Sequence, residues 1–153
     1  MKHLSLGSGL TAAGIIFCLD RLAKYIVVTC LETPLDVTSW FSIDYVLNRG
    51  ISWGLFSFTD TTGFVVVSSI IALLLGIIFW WTYRIYKRNE PITAQLFIMA
   101  GGISNIIDRV LYNGVIDYIG ITIAGWHFAW FNIADAAINL GVIMLVIQGL
   151  THE

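Results

Sequence analysis

Residues 61–83 read TTGFVVVSSIIALLLGIIFWWTY, 23 positions without a charge between Asp60 and Arg84. Wound as an α-helix, that stretch rises about 34 Å, enough to cross the hydrocarbon core of a bilayer. The rest of the chain shares its bias. Of 153 residues, 58% are hydrophobic and only 12% are charged, about half the charge of an ordinary soluble domain. Eight Lys and Arg with ten Asp and Glu cannot cover a water-facing surface of this size. A soluble enzyme and a disordered tail are thereby excluded. The net charge of -2 gives no electrostatic footprint for nucleic acid. The length implies one domain, residues 1–153, whose solvent is lipid.

Three further apolar runs border an aspartate. Leu4–Leu19 stops at Asp20, Pro91–Ile107 stops at Asp108, and Ala136–Thr151 follows Asp135. Each becomes a full span if its helix carries the acid near one membrane face. The expected architecture is an α-helical membrane protein: a four-transmembrane-helix bundle with helices near 4–28, 61–85, 91–110 and 132–150. Arg84, Lys87 and Arg88 cluster between the second and third helices, and Lys2 precedes the first. The basic residues therefore predict that both termini are cytoplasmic. The first run lacks a small-residue cleavage site and is read as a helix, not a signal peptide. This topology brings Asp20, Asp108 and Asp135 to the same outer face, with Asp117 in the loop just outside.

The outer loops, 29–60 and 111–131, carry strand patterns. Positions 41, 43, 45 and 47 are apolar in Phe41–Asn48, which is period two. Arg49 and Gly50 read as a bulge or turn, after which 51–58 returns with aromatics. The stretch 121–131 (ITIAGWHFAWF) is again strand-like. Trp40, Trp53, Trp126 and Trp130 fall in these loops, whereas Trp80 and Trp81 fall near the opposite interface, as in the aromatic belts of membrane proteins. A small β-sheet platform on the outer face of the bundle is expected.

Carboxylates at membrane depth are functional candidates by default, and each also has a structural explanation. Asp20 and Lys24, at i and i+4, read first as an intrahelical ion pair that lets the helix end be wet. Gly101, Asn105, Asp108 and Arg109 form one helical stripe, with Gly101 admitting a neighbouring helix and Arg109 suited to a phosphate or carboxylate. Asn132 and Asp135 read as a capping box. Asp117, between Ile116 and Tyr118, reads as facing a partner. Two carboxylates sharing a dry site hold one proton between them, which is aspartic peptidase chemistry. A G-x-S-x-G nucleophile is absent. Cys18 and Cys30 lie about 18 Å apart along one helix, too far for a disulfide. The three scattered histidines give no metal-ligand spacing, so neither metal nor other cofactor is expected.

Five segments in order then resemble the motifs of lipoprotein signal peptidases (signal peptidase II), bacterial membrane aspartic peptidases. They are Asp20–Lys24, Asn48–Phe56, Gly101–Arg109, Gly114–Tyr118 and Phe131–Asp135. The resemblance implies cleavage of the signal peptide before a diacylglyceryl-modified cysteine, with Asp117 and Asp135 as the catalytic dyad. It implies that Asn48, Gly50, Asn105, Arg109, Asn132 and Ala134 bind substrate or support the dyad. Asp20, Lys24, Gly101 and Asp108 take positioning roles. The implied partners are diacylglyceryl-modified prolipoproteins and membrane lipids, with no nucleic acid, and the implied state is a monomer. The implied location is the bacterial inner membrane, with the active site at the outer face. Departures from the family's usual pattern are Arg21 for a frequent Gln, Tyr118 for Phe, and Ile51, Ser52 and Trp53 for a run richer in Ala and Phe. Trp53 is expected to narrow the substrate groove. Rival readings are a small proton-coupled membrane carrier, with Asp20, Asp108 and Asp135 as a relay, and a purely structural bundle.

Overall fold

The computed structural model describes residues 6–50 and 61–151; the expectations for 51–58 and Trp53 lie outside them. Four helices, α1 (Leu6–Cys30), α2 (Thr61–Tyr86), α3 (Thr93–Tyr112) and α4 (Ile133–Thr151), lie within two residues of the expected positions. Four strands accompany them: β1 (Leu35–Asp36), β2 (Phe41–Asn48), β3 (Val115–Ile123) and β4 (Trp126–His127).

α3 is the hub and packs on α1, α2 and α4. Eleven of its twenty residues are buried, whereas α2 buries only Phe64 and Thr82. The interior is rich in polar groups, with Asp20, Lys24, Ser104, Asn105, Asp108, Asp117 and Asn132 all buried. Leu73, Phe79, Ile143 and Leu150 instead face outward. Water would expel such an exterior; hydrocarbon accepts it, because the polar groups inside satisfy one another. α2 and residues 133–150 of α4 are each long and apolar enough to cross a membrane unaided. α1 and α3 carry Asp20, Arg21, Lys24, Asp108 and Arg109 within their length.

Glycines let α3 and α4 approach closely. A Cβ on Gly101 would collide with the carbonyl oxygen of Ala134, and one on Gly141 would come within 2.6 Å of the Ala94 oxygen. The expected role of Gly101 is thus realised, and its partner is the helix that carries Asp135.

The sheet is antiparallel in the order β1-β2-β3-β4. Ala124 and Gly125, both at positive φ (51° and 81°), make the two-residue turn between β3 and β4. Backbone bonds then strap β3 to Phe131, two residues before α4: Tyr118 and Ile119 N–H donate to the Phe131 oxygen at 3.1 and 2.8 Å.

Two expectations are corrected. Asp117 lies within β3, not in a loop. Residues 115–118 are all buried, and no alternation of polarity marks the strand in the sequence. Asp20 and Lys24 do form an ion pair, but both are fully enclosed, so the pair does not wet a helix end.

Candidate active site

The location of Asp117 depends on a bulge. Ile43 pairs with Ile119, but Val46 pairs with Asp117, so Asp44 and Tyr45 oppose Tyr118 alone. That extra residue shifts the register by one, and such a slip exchanges the two faces of a strand. Beyond the bulge, Asn48 and Asp117 therefore share a face. Asn48 Nδ2 donates to Asp117 Oδ2 at 2.9 Å, and Asn132 Nδ2 donates to Oδ1 at 2.8 Å. Asp117 is 1% exposed. Burial, then the neighbouring Asp135 charge, push its carboxyl up to about 7 against these two donors.

Asp135 sits in the first turn of α4, and the expected capping box is formed. Asn132 Oδ1 accepts from Asp135 N–H at 2.8 Å, while Asp135 Oδ2 accepts from Asn132 N–H at 3.4 Å. Asn105 Nδ2 reaches Asp135 Oδ1 at 2.8 Å. Asn132 thus caps the helix bearing one carboxylate with its oxygen and holds the other carboxylate with its nitrogen. Asn48, Asn105, Arg109, Asp117 and Asp135 line one cavity of about 200 Å³. Arg109 Nη2 donates to the Gly50 oxygen at 3.2 Å, and Gly50 N–H donates to Asn48 Oδ1 at 2.9 Å. That second bond is an Asx turn, in keeping with the turn expected at Arg49-Gly50.

Beneath the cavity is a charge cluster. Lys24 Nζ donates to Asp108 Oδ2 (2.7 Å), Asp20 Oδ2 (2.8 Å) and Asn105 Oδ1 (2.8 Å). Three donors meet three acceptors, so the buried ammonium is saturated. An ammonium only donates, so it fixes the Asn105 amide with its oxygen toward Lys24 and its nitrogen toward Asp135. Arg21 pairs with Asp108, which makes two cations for two anions. Asp20 also accepts from Ser104 Oγ (2.6 Å), Tyr118 Oη (3.2 Å) and Ala134 N–H (3.1 Å).

These contacts close the start of α4. Ile133 N–H donates to Tyr118 Oη at 3.2 Å, Ala134 N–H to Asp20, and Asp135 N–H to Asn132. The first-turn donors are therefore met by side chains from α1, β3 and the cap itself, with no need for water. Burial and the charge of Asp20 hold the Tyr118 phenol well above the usual tyrosine range, so it stays a hydroxyl. Asp20, Lys24, Gly101, Asp108 and Ala134 are not among the residues that line the cavity. Sequence reasoning missed Ser104, and it noted Tyr118 as a flank of Asp117 and a departure from the family pattern, with no role of its own. Ser104 stands one turn before Asp108 on the same helical face, which is the signal that could have found it.

Two buried carboxylates facing one cavity, in a helical fold with an apolar exterior, suit the chemistry of a membrane aspartic peptidase. The family model described as signal peptidase (SPase) II matches residues 12–151, and the chain belongs to that family. The lipoprotein signal peptidase of Sphingopyxis alaskensis is 34% identical, over 93% of this chain and 84% of that relative. The lipoprotein signal peptidase of Syntrophotalea carbinolica is 30% identical, over 94% of each. A solved bacterial membrane enzyme, determined by the in meso method, superimposes with a TM-score of 0.80 at 26% identity, covering 98% of this chain and 92% of its own. Membership in the family sets aside the carrier and structural-bundle readings.

Proposed function

We propose that this chain removes signal peptides from lipidated precursors by hydrolysing the peptide bond before a diacylglyceryl-modified cysteine, with Asp117 and Asp135 as the dyad. The observation that carries the assignment is that both carboxylates face one cavity and are bridged by a single asparagine, Asn132.

Their surroundings divide the labour. Asp117, with its carboxyl raised to about 7, holds the shared proton below that pH. Asp135 accepts N–H bonds from Asn105 and from the backbone of Asn132, which orient its carboxyl; with Asp117 holding the one proton of the pair, Asp135 is the ionised partner. Asp135 takes a proton from water as the oxygen attacks the scissile carbonyl. Asp117 gives its proton to the carbonyl oxygen, forming a neutral tetrahedral diol. Collapse breaks the C–N bond, Asp135 passes its proton to the leaving cysteine amine, and Asp117 recovers the diol proton. Asn48 and Asn132 hold Asp117, Asn105 holds Asp135, and Arg109 with the Gly50 backbone faces the substrate.

All four helices cross the bacterial inner membrane in this reading, with both termini cytoplasmic and the cavity at the outer face. The exposed Trp40 and Trp126 at the sheet and the exposed Trp80 and Trp81 at the far end of α2 support two interfacial belts. The charges of α1 and α3 face one another across the interior, which is how helices with ionisable groups are accommodated in lipid. One polypeptide supplies every group named, so the active unit is a monomer.

The test is a gel-shift assay of a diacylglyceryl-modified precursor with purified protein. Asp117→Asn and Asp135→Asn should each lower turnover by on the order of 10²–10⁴ while the protein stays folded. Near wild-type processing by either variant would remove that residue from the dyad.

A further inference from the structure

Arg109 lines the dyad cavity and also a second, lateral cavity of about 220 Å³ between α2 and α3. Phe64, Ser68 and Ala72 of α2 face Ile106, Arg109 and Val110 of α3 across it. The Arg49 guanidinium stacks over the Phe64 ring, 5.3 Å from its centroid. Arg109 therefore stands between the site and the lateral cavity, whose other wall is α2.

One polar group in its wall lacks a partner. The Ser68 hydroxyl is enclosed and has no hydrogen-bond partner among the described residues. Threonine hydroxyls elsewhere on these helices bond back to the carbonyl one turn earlier: Thr11 to Gly7 at 2.9 Å, Thr29 to Tyr25 at 2.7 Å and Thr82 to Ile78 at 2.7 Å. Ser68 makes no such bond. Enclosed polar groups in folded proteins are almost always paired, and an orphan points to an acceptor that arrives with a ligand. The missing acceptor must lie on a molecule that is otherwise apolar, because aliphatic and aromatic side chains make up most of the remaining wall.

We infer that the lateral cavity receives one ester-linked acyl arm of the substrate's diacylglyceryl group, and that Ser68 Oγ–H donates to its ester carbonyl. The inference rests on the peptidase function proposed above. An acyl arm has the required chemistry: a carbonyl oxygen that accepts, no donor of its own, and a polymethylene tail. Ser68 is then a specificity residue for the lipid, placed on the opposite side of Arg109 from the dyad.

The test compares two lipidated precursors, one with a diacylglyceryl diester on cysteine and one with the dialkylglyceryl diether, which lacks both carbonyls. Wild type should cleave the diester with a kcat/KM about three- to tenfold above the diether, the worth of one hydrogen bond. Ser68→Ala should erase that preference by slowing the diester alone. Ala72→Phe, at an exposed position on α2, should raise KM for both lipids by filling the cavity, with kcat held. Equal effects of Ser68→Ala on both lipids, or none on either, would overturn the inference while leaving the peptidase reading intact. If wild type cleaves neither lipidated precursor, the peptidase reading itself falls and the inference with it.

Discussion

An Asp117→Asn variant removes a carboxyl that is enclosed between two amide donors, and the consequences for stability depend on pH in a calculable way. In the folded protein the carboxyl titrates at about 7; in the unfolded chain it titrates near ~3.9. Below about pH 4 both states are protonated, and the group costs nothing. Between about pH 4 and 7 the unfolded chain ionises and the folded one does not, so wild-type stability falls by ~1.4 kcal/mol per pH unit. Above about pH 7 both states are ionised and the loss levels off, at ~4 kcal/mol in total. The asparagine variant lacks this slope. It carries instead a pH-independent cost, because Asn48 and Asn132 both donate to residue 117 and an amide offers a single acceptor oxygen. One of the two donors then loses its partner, at ~1–3 kcal/mol. The variant should be less stable than wild type by ~1–3 kcal/mol at pH 4 and more stable by a similar amount at pH 8. Thermal unfolding in detergent micelles, followed by tryptophan emission from pH 4 to 9, should show the two curves cross. At ~2–4 °C per kcal/mol the crossing is well resolved. A constant difference across that range would refute the raised carboxyl and with it the division of roles in the dyad.

Turnover of a lipidated precursor should decline above about pH 7, toward tenfold per unit, as Asp117 loses its proton; a rate that stays level to pH 9 would assign the proton elsewhere. Gly101→Ala drives a methyl group into the Ala134 carbonyl, and calorimetry should find a loss of ~1–3 kcal/mol from overpacking. Processing should fall as well, since Asp135 adjoins the displaced residue. Lys24→Met strands the buried Asp20 and weakens the pairing of Asp108, at a cost of ~3–5 kcal/mol. Adding Asp20→Asn to that variant should restore part of the melting temperature, and no recovery would show that the lysine acts by packing alone.

Much of the helical frame was legible in the residue order. An uncharged run such as 61–83 has few other fates, and Asn132 and Asp135 announce a helix start through hydrogen-bonding capacity alone. β3 was harder. A strand buried on both faces shows no alternation, and Val115–Tyr118 reads equally well as an apolar loop. Arg49-Gly50 was read as a bulge or turn from turn chemistry and is a turn, whereas the register shift falls between Ile43 and Val46. Nothing in Asp44-Tyr45 marks the site, because a bulge is fixed by which partner each flanking segment pairs with. Asp20 and Lys24 were recognised as a pair from their spacing, but spacing along one helix is silent about what covers it. Their burial depends on α3 and β3.

The sequence by itself determined the solvent, the number and approximate limits of the helices, and the residues able to do acid–base chemistry. Those properties are local: hydropathy, periodicity and side-chain type act over a few turns of chain. Tertiary structure alone decided that Asn132 joins the two carboxylates, that Lys24 orients the Asn105 amide, and that Tyr118 and Asp20 cap the helix bearing Asp135. Each of those contacts spans elements distant in sequence, with a separation of 81 positions from Lys24 to Asn105 and 114 from Asp20 to Ala134. Geometry between such elements is set by the packing of whole helices and strands, and no short-range pattern encodes it.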